Sequence, residues 1–220
     1  MRSHPPRDSV IVAKVGGSLF TLPDLSRRLG GFIELFEQYR LVLVPGGGMF
    51  AEAVRTVDKI HGLSAKASHE LAIQAMSMSC QLLEQLIENS VIVHAVEDLD
   101  AAWKEQKVPI YDPRRSFCKQ SELPASWDVT SDSIAASLAI HLGDSSLILL
   151  KSTDLPDDDP SIEQISAGGL VDAYFPKLAE SLASIGWCNL RNQYNPRCRW
   201  IRKDELLLES RFKESDEIDL

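Results

Sequence analysis

A short apolar run near the amino terminus, VIVAKVGGS at residues 10–18, ends in a lysine, a valine, two glycines and a serine. Its β-branched residues predict a buried strand, and Gly16-Gly17 predicts a tight loop after it. Lys14 is unusual there, because a charged side chain at the end of an apolar strand is costly unless it has a function. Glycines let the backbone approach an oxyanion and a lysine supplies a compact positive charge, so this stretch is a candidate phosphate loop.

The same arrangement recurs along the chain. Helical periodicity at 22–38 precedes an apolar strand at 41–44, which stops at Pro45-Gly46-Gly47-Gly48 and leads into a helix at 49–60. Further strands are predicted at 91–93, 108–111, 147–150 and 188–190, and further helices at 69–89, 131–142 and 177–185. Alternating strands and helices predict a mainly parallel sheet with helices on both faces, a three-layer α/β/α sandwich.

Composition narrows the class of protein. The 220 residues are 44% hydrophobic and carry a net charge of −9. We expect one domain at 9–212, between a disordered tail at 1–8 and a flexible tail at 213–220. An acidic chain repels nucleic acid and anionic membranes, and no apolar run approaches the ~20 residues of a membrane-spanning helix. The four cysteines form no C-x-x-C pair and fit a reducing compartment, so we expect a cytoplasmic protein.

Three segments at predicted strand or loop ends are candidate ligand sites, because ligands of doubly wound sheets bind at the carboxyl ends of strands. They are Gly16-Gly17-Ser18, Gly46-Gly47-Gly48 and Thr130-Ser131-Asp132-Ser133. Three glycines before a helix make a nest for an anion. Each segment also has an ordinary interpretation: the glycines as turns, and Asp132 as a helix residue stabilised by the helix dipole. Neither glycine loop matches G-x-x-x-x-G-K-[ST], which excludes a P-loop enzyme.

Taken in order, four segments resemble the amino acid kinase superfamily: AKVGGS at 13–18, VPGGG at 44–48, VTSDSIAA at 129–136 and LLKSTD at 149–154. The resemblance implies ATP and Mg²⁺ as cofactors, with the metal held through ATP oxygens and no dedicated protein ligands. It implies that Lys14 stabilises the transferring phosphoryl group and that Asp132 orients this lysine. The residues implied to hold the donor nucleotide are Gly16, Gly17, Ser18, Lys151, Thr153 and Asp154.

A second catalytic lysine follows a Gly-Gly pair in many members of this superfamily. Here Gly168-Gly169 is followed by Lys177, eight residues later, which makes Lys177 the candidate. The sequence also departs from many relatives at Leu155, where they have glycine after the aspartate that Asp154 matches.

The helix after the triple glycine is similar to one branch of the superfamily, the [5-(aminomethyl)furan-3-yl]methyl phosphate kinases of methanofuran biosynthesis. The similarity rests on FAEAVR at 50–55 and WDVTSD at 127–132. It implies a phosphate monoester as acceptor and a diphosphate as product. Candidate acceptor-binding residues are Gly46, Gly47, Gly48, Arg55, Asp58, His69 and Thr130.

Three of these side chains have a stated chemistry. Arg55 can clamp a phosphate with two hydrogen bonds, His69 can donate to one, and Asp58 can bind an acceptor ammonium. Each is equally compatible with a solvent-exposed helix residue.

Two rival functions stay open at this point. One is a uridylate kinase or another phosphate kinase of the same fold, and the other is a non-catalytic nucleotide- or oxyanion-binding protein. Lys14 together with Asp132 favours catalysis. The apolar helix at 72–86 suggests a homodimer or higher homo-oligomer, because relatives pair through such a helix.

Overall fold

A computed structural model describes residues 9–115, 123–143, 145–156, 159–192 and 198–201. These residues form a seven-stranded sheet in the order β3-β4-β2-β1-β5-β6-β7. The strands are β1 Val10–Val15, β2 Arg40–Pro45, β3 Ser90–Val93, β4 Val108–Tyr111, β5 Ser145–Lys151, β6 Ser184–Asn189 and β7 Cys198–Ile201. The first six run parallel and β7 pairs antiparallel to β6. The tails predicted at 1–8 and 213–220 lie outside the described residues.

Seven α-helices are described between these strands, with 3₁₀ turns at Gly17–Thr21 and Val96–Asp98. They are α1 Leu25–Leu35, α2 Gly48–His61, α3 Ala65–Leu86, α4 Leu99–Lys104, α5 Ser131–His141, α6 Ile162–Ala167 and α7 Phe175–Ala179. In the described parts of the chain, none of the helices combines the length and the apolar character needed to cross a bilayer.

Strand β1 separates two hydrophobic cores. Val12 faces the core that contains α5 and α7, whereas Ile11 and Ala13 face the core that contains α1. All three side chains are fully buried. A strand covered on both faces has no polar alternation, which explains why β1 is apolar apart from Lys14. The predicted three-layer α/β/α sandwich with a mainly parallel sheet is confirmed.

Helix α3 begins earlier than the sequence predicts. Ser64 caps it by accepting a hydrogen bond from Ala67 N at 3.2 Å, and Ser68 lies inside the helix, buried. Serine is a favoured N-cap residue, so the sequence allows the helix to begin after Ser64 or after Ser68. The choice depends on the loop that follows Gly62, whose φ is +61°. His69 therefore lies in the second turn of α3 rather than at its start.

The helix predicted at 177–185 is wrong. Its apolar residues, Leu178, Leu182 and Ile185, have helical spacing, but α7 ends at Ala179 and β6 begins at Ser184. Ile185 pairs with Leu147 of β5. The backbone N–H and C=O groups on the open edge of β5 need hydrogen-bond partners. Pairing with β6 supplies them and outweighs the local helical spacing of the apolar residues.

Helix α2 covers the molecule without entering its core. None of its residues is buried, and it packs against α3 and the 3₁₀ turn Gly17–Thr21. Met49, Val57 and Ile60 are exposed on it. The position of α2 therefore depends on its packing against α3 and the 3₁₀ turn rather than on the hydrophobic cores.

Candidate active site

The loops that follow β1 and β2 touch each other through their backbones. A Cβ atom on Gly17 would lie 2.6 Å from Gly48 Cα, and one on Gly46 would lie 2.8 Å from Gly17 N. Gly46 N donates to Val15 O at 2.8 Å. Two of the predicted ligand loops thus form one continuous surface, and their glycines are required by this contact in addition to any contact with a ligand.

Helix α2 begins directly at this surface. Gly48 has φ of +53°, a conformation that favours glycine, and it starts the helix. A Cβ atom on Gly47 would lie 2.4 Å from Ala51 Cβ in the first turn. The positive end of the helix dipole consequently lies at the carboxyl end of β2, next to the loop after β1.

Gly17→Ala is expected to reduce turnover severely, by about 10²-fold, because the added methyl forces the two loops apart and misplaces the reacting groups. Steady-state kinetics with thermal unfolding by circular dichroism measures it. Gly30→Ala is the matched control, because a Cβ there meets no atom within 4 Å and alanine favours the helix. Full activity in Gly17→Ala would show that the loop contact does not matter for function.

Two lysines share one buried carboxylate beside these loops. Lys14 Nζ and Lys151 Nζ each lie 2.9 Å from Asp132 Oδ1, and Lys151 Nζ also donates to Asp132 Oδ2 at 3.0 Å. Lys14 and Asp132 are each 5% exposed. The cluster carries two positive charges and one negative charge in a chain whose total charge is −9. An excess of positive charge in a buried position is suited to an anionic ligand.

Strand geometry explains how these residues meet. Lys14, the residue before the last of β1, lies on the same face as Val12, and Lys151 ends the neighbouring β5 on the same face as Leu149. Helix α5 packs on this face, and Asp132 lies in its first turn. The prediction that Asp132 orients Lys14 agrees with this geometry, whereas Lys151, predicted to border the nucleotide, lies at the same carboxylate.

In this cluster, burial favours the uncharged forms of the side chains, whereas the attraction between opposite charges favours the charged forms. Burial alone would raise the pKa of Asp132, but the two ammonium groups outweigh it and hold this pKa below its ordinary value. Burial and the Lys14 charge lower the pKa of Lys151 to about 8, although Asp132 acts in the opposite direction. Lys151 Nζ is further held by Leu170 O at 2.6 Å and lies 5.3 Å from the centre of the Trp187 ring.

Asp172 organises the amino-terminal end of α5. Its Oδ2 accepts from Thr130 N at 2.9 Å, Thr130 Oγ1 at 2.8 Å and Ser133 N at 3.0 Å. Its Oδ1 accepts from Ser133 Oγ at 2.5 Å and Phe175 N at 2.9 Å. Thr130 is thus the cap of α5 and is committed to this network, which joins the first turn of α5 to α7.

The predicted acceptor residues of α2 form a second group around one indole ring. Arg55 lies over the ring of Trp127, with its guanidinium carbon 4.6 Å from the ring centre. Asp58 Oδ2 accepts from Trp127 Nε1 at 2.7 Å, and Asp58 Oδ1 accepts from Leu63 N at 3.0 Å. The contact of Asp58 with an acceptor amine stays a prediction.

His69 also faces the segment that contains Trp127. It is half-buried, and this burial lowers the pKa of its imidazole, while a hydrogen bond with the backbone of Ser126 opposes the shift. His69 and Arg55 are therefore brought to the same segment, which leads into Thr130 and Asp132.

The remaining predicted nucleotide residues lie at the carboxyl ends of β1 and β5. Ser18 Oγ is 2.9 Å from Ser152 Oγ, which joins the loops after these two strands. Thr153 and Asp154 are exposed just beyond Lys151, and Thr153 O accepts from Trp187 Nε1 at 2.8 Å. The amine of Lys177, on α7, lies 4.9 Å from the centre of the Tyr174 ring. Its catalytic role stays a prediction.

A model of the amino acid kinase family matches residues 9–167. The chain belongs to the amino acid kinase family. A curated relative, the [5-(aminomethyl)furan-3-yl]methyl phosphate kinase of Methanocaldococcus jannaschii, is 30% identical over 125 residues. That alignment covers 56% of this chain and 57% of the relative, so the chain spans little more than half the length of that protein.

Solved structures of this family share the fold. UMP kinase from Ureaplasma parvum superposes with a TM-score of 0.62 at 16% identity, covering 93% of this chain and 96% of that one. Aspartate kinase from Synechocystis superposes with a TM-score of 0.60 at 13% identity, covering 88% of this chain and 40% of that one. The predicted family and fold class are confirmed, and the family together with the kinase relative supports the predicted enzyme class, a phosphotransferase.

Three residues of this member of the amino acid kinase family contact predicted site residues although the sequence assigned them no role. They are Asp172, Trp127 and Trp187. An aspartate two residues before an aromatic pair, Tyr174-Phe175, is a weak capping signal at best. Trp127 lies two residues before the VTSD motif, but its partners on α2 lie about 70 residues earlier in the sequence.

Proposed function

We propose that this chain is an ATP-dependent kinase that transfers the γ-phosphate to a small acceptor bearing a phosphate group. The observation that carries the proposal is the buried Lys14–Asp132–Lys151 cluster at the carboxyl ends of β1 and β5. It lies beside two touching glycine loops and the start of α2. Family membership and the named kinase relative agree with this assignment.

Phosphoryl transfer needs in-line positioning and stabilisation of charge on the equatorial oxygens, with little covalent chemistry from the protein. Asp132 holds the two ammonium groups at one point, so they need not reorganise when charge develops. Because Lys14 is almost fully buried, its charge acts in a medium of low dielectric constant. We assign Lys14 to the transferring phosphoryl group and Lys151 to the same group or the adjacent nucleotide oxygen.

The donor nucleotide fits the surface between β1 and β5. Gly16, Gly17 and Ser18 would hold its phosphates, while Thr153 and Asp154 border the position of the nucleoside. The excess positive charge of the buried cluster suits the nucleotide phosphates. When bound, Mg²⁺ coordinated by nucleotide oxygens neutralises part of the phosphate charge.

The acceptor fits the other side of the glycine loops. Gly46, Gly47 and Gly48 present the start of α2, and Arg55 supplies a half-exposed guanidinium one to two turns further along this helix. A phosphate monoester matches this charge, and the name of the 30% identical relative is that of a phosphate kinase. An aminomethylfuran-type monoester is our most specific candidate, and uridylate is the alternative within the same fold.

We also propose a cytoplasmic homo-oligomer. Cys80 and Cys188 are buried free thiols, which fits a reducing compartment. Leu71 and Met78 are exposed on α3, and Ile60 is 69% exposed on α2, so this pair of helices offers apolar surface to a second copy.

A coupled assay of ADP release across phosphate monoesters, nucleoside monophosphates and amino acids tests the acceptor class. Arg55→Ala and His69→Ala are expected to raise the acceptor KM by about tenfold and to change the ATP KM by less than twofold. Lys59→Ala is the control on the same helix, because this side chain is exposed.

Other outcomes are equally informative. A response to carboxylate acceptors alone would contradict the phosphate-acceptor proposal. Binding of ATP or of an oxyanion without any turnover would support the non-catalytic binding protein instead.

A further inference from the structure

Trp127 joins two parts of the molecule that the sequence keeps apart. Its indole N–H donates to Asp58 on α2, and the guanidinium of Arg55, on the preceding turn of the same helix, covers its ring. Trp127 itself belongs to the segment that leads into Asp132. One side chain thus contacts both the helix of the predicted acceptor site and the approach to the catalytic cluster.

The contact with the Trp127 ring orients the guanidinium of Arg55 and leaves some of its N–H groups available to a ligand. A guanidinium that stacks on an indole keeps its N–H groups in the plane of the fork, where they remain able to bind a phosphate. Arg55 NH1 lies 3.2 Å from Glu52 Oε2, and the Arg55 side chain is 51% exposed. The guanidinium is therefore held over the ring and is still accessible from solvent.

The contact with Asp58 fixes the helix that carries Arg55. Helix α2 has no fully buried residue and packs on α3 at the surface, so a directional polar contact adds to what holds it in place. The carboxylate of Asp58 joins Trp127 Nε1 to Leu63 N, which lies between α2 and α3. A partly buried indole N–H bonded to a carboxylate is a directional, charge-assisted link.

The segment after Trp127 is anchored at its other end. Tyr174 N donates to Asp128 O at 3.1 Å, and Asp172 accepts from Thr130 N and Thr130 Oγ1. Val129 between them is buried. The chain from Trp127 to Asp132 is consequently short and held on both sides, so a displacement of α2 is passed to the first turn of α5.

We propose that Trp127 is a positioning residue for the acceptor: it holds Arg55 toward the acceptor's phosphate group and ties α2 to the segment that carries Asp132. This inference rests on the proposed function. It differs from a packing role, because a packing role predicts lost stability without a selective change in acceptor binding.

Trp127→Phe and Trp127→Leu test the inference in the full-length chain. Phenylalanine keeps a ring for Arg55 but loses the N–H group, whereas leucine loses both. We expect the acceptor KM to rise about tenfold in Trp127→Phe and further in Trp127→Leu, with the ATP KM changed by less than twofold. An unchanged acceptor KM in Trp127→Leu would overturn the inference.

Trp103→Phe is the matched control. Trp103 is also partly buried, with Arg40 at 5.7 Å from its ring centre and its indole N–H bonded to Leu41 O at 2.8 Å. It lies at the opposite end of the sheet, beside the start of β2. We expect this variant to lose stability without a change in either KM; a rise in acceptor KM equal to that of Trp127→Phe would overturn the inference.

A second measurement separates this inference from the proposed function. The Trp127 N–H is the main reason that the pKa of Asp58 lies below its ordinary value. A carbon-13 NMR titration of Asp58 should therefore show a higher pKa in Trp127→Phe and no change in Trp103→Phe. An unchanged Asp58 pKa in Trp127→Phe would overturn the inference even where the kinase is active. A raised pKa in a protein that phosphorylates no acceptor would preserve the link and reject the proposed function.

Discussion

Lys14→Met is expected to lower kcat by about 10²-fold or more, with a modest change in ATP affinity. Methionine is unbranched and fills the space of the lysine stem, so the fold is retained while the charge is lost. The ammonium lies 2.9 Å from Asp132 in a position that is almost fully buried, and the proposed function assigns its charge to the transferring group. Single-turnover and steady-state kinetics of ADP release measure the effect.

Lys66→Met serves as the control, because the Lys66 side chain is 81% exposed and lies on α3 away from the cluster. It should retain the wild-type rate. Lys14→Arg adds information, since a guanidinium keeps the charge but cannot occupy the same compact volume, and we expect only partial recovery. Turnover at the wild-type rate in Lys14→Met would show that Lys14 does not stabilise the transition state.

Asp132→Asn is expected to destabilise the fold by about 3 to 5 kcal/mol, because it leaves two lysines in a buried site without their counter-ion. Activity should fall with it, since neither ammonium is then held in place. Urea denaturation measures the free energy of unfolding, and kcat is measured under conditions where the variant is folded. Asp24→Asn breaks an exposed ion pair with Arg27 and Arg28 and should cost far less.

The deficit of Asp132→Asn should depend on pH. In the wild type the pKa of Lys151 is lowered to about 8 from an ordinary 10.5, and the Asp132 charge opposes this shift. Removing that charge lowers the pKa of Lys151 further, so the folded variant holds fewer protons than the unfolded chain from a lower pH onward. The stability of the variant therefore begins to rise at a lower pH than the stability of the wild type. The difference in stability between the two proteins should consequently be smaller at pH 8 than at pH 6. A deficit independent of pH would mean that the Lys151 charge does not cause the instability.

Several residues of the candidate site were predictable for a local reason. Lys14 lies near the end of an apolar strand and Gly16 and Gly17 follow that strand directly, and a charged residue with two glycines in that position has few structural explanations. Asp132 follows a capping threonine at the start of an Ala-rich helix. Parallel strands place their carboxyl ends at one edge of the sheet, so these motifs were expected to meet.

The position of Lys151 shows where local pattern was not enough. The resemblance placed Lys151 at the nucleotide and did not predict its contact with Asp132, while the catalytic role of Lys177 stays a prediction. Whether a lysine reaches Asp132 depends on the pairing of β5 beside β1 and on the face to which the last residue of β5 points. A shift of one residue along β5 would turn Lys151 to the opposite face of the sheet.

The alternation of apolar strands and amphipathic helices, together with the glycines at two strand ends, is sufficient to specify the sandwich and the location of its site, because period and turn chemistry are local properties of a chain. The partners of Asp58, Arg55 and Asp172 are decided only in three dimensions. Trp127 lies 69 residues from Asp58, and Thr130 lies 42 residues from Asp172. Such contacts depend on how α2 packs on α3 and how α7 packs on α5, and this packing is set by all the layers together rather than by any one segment.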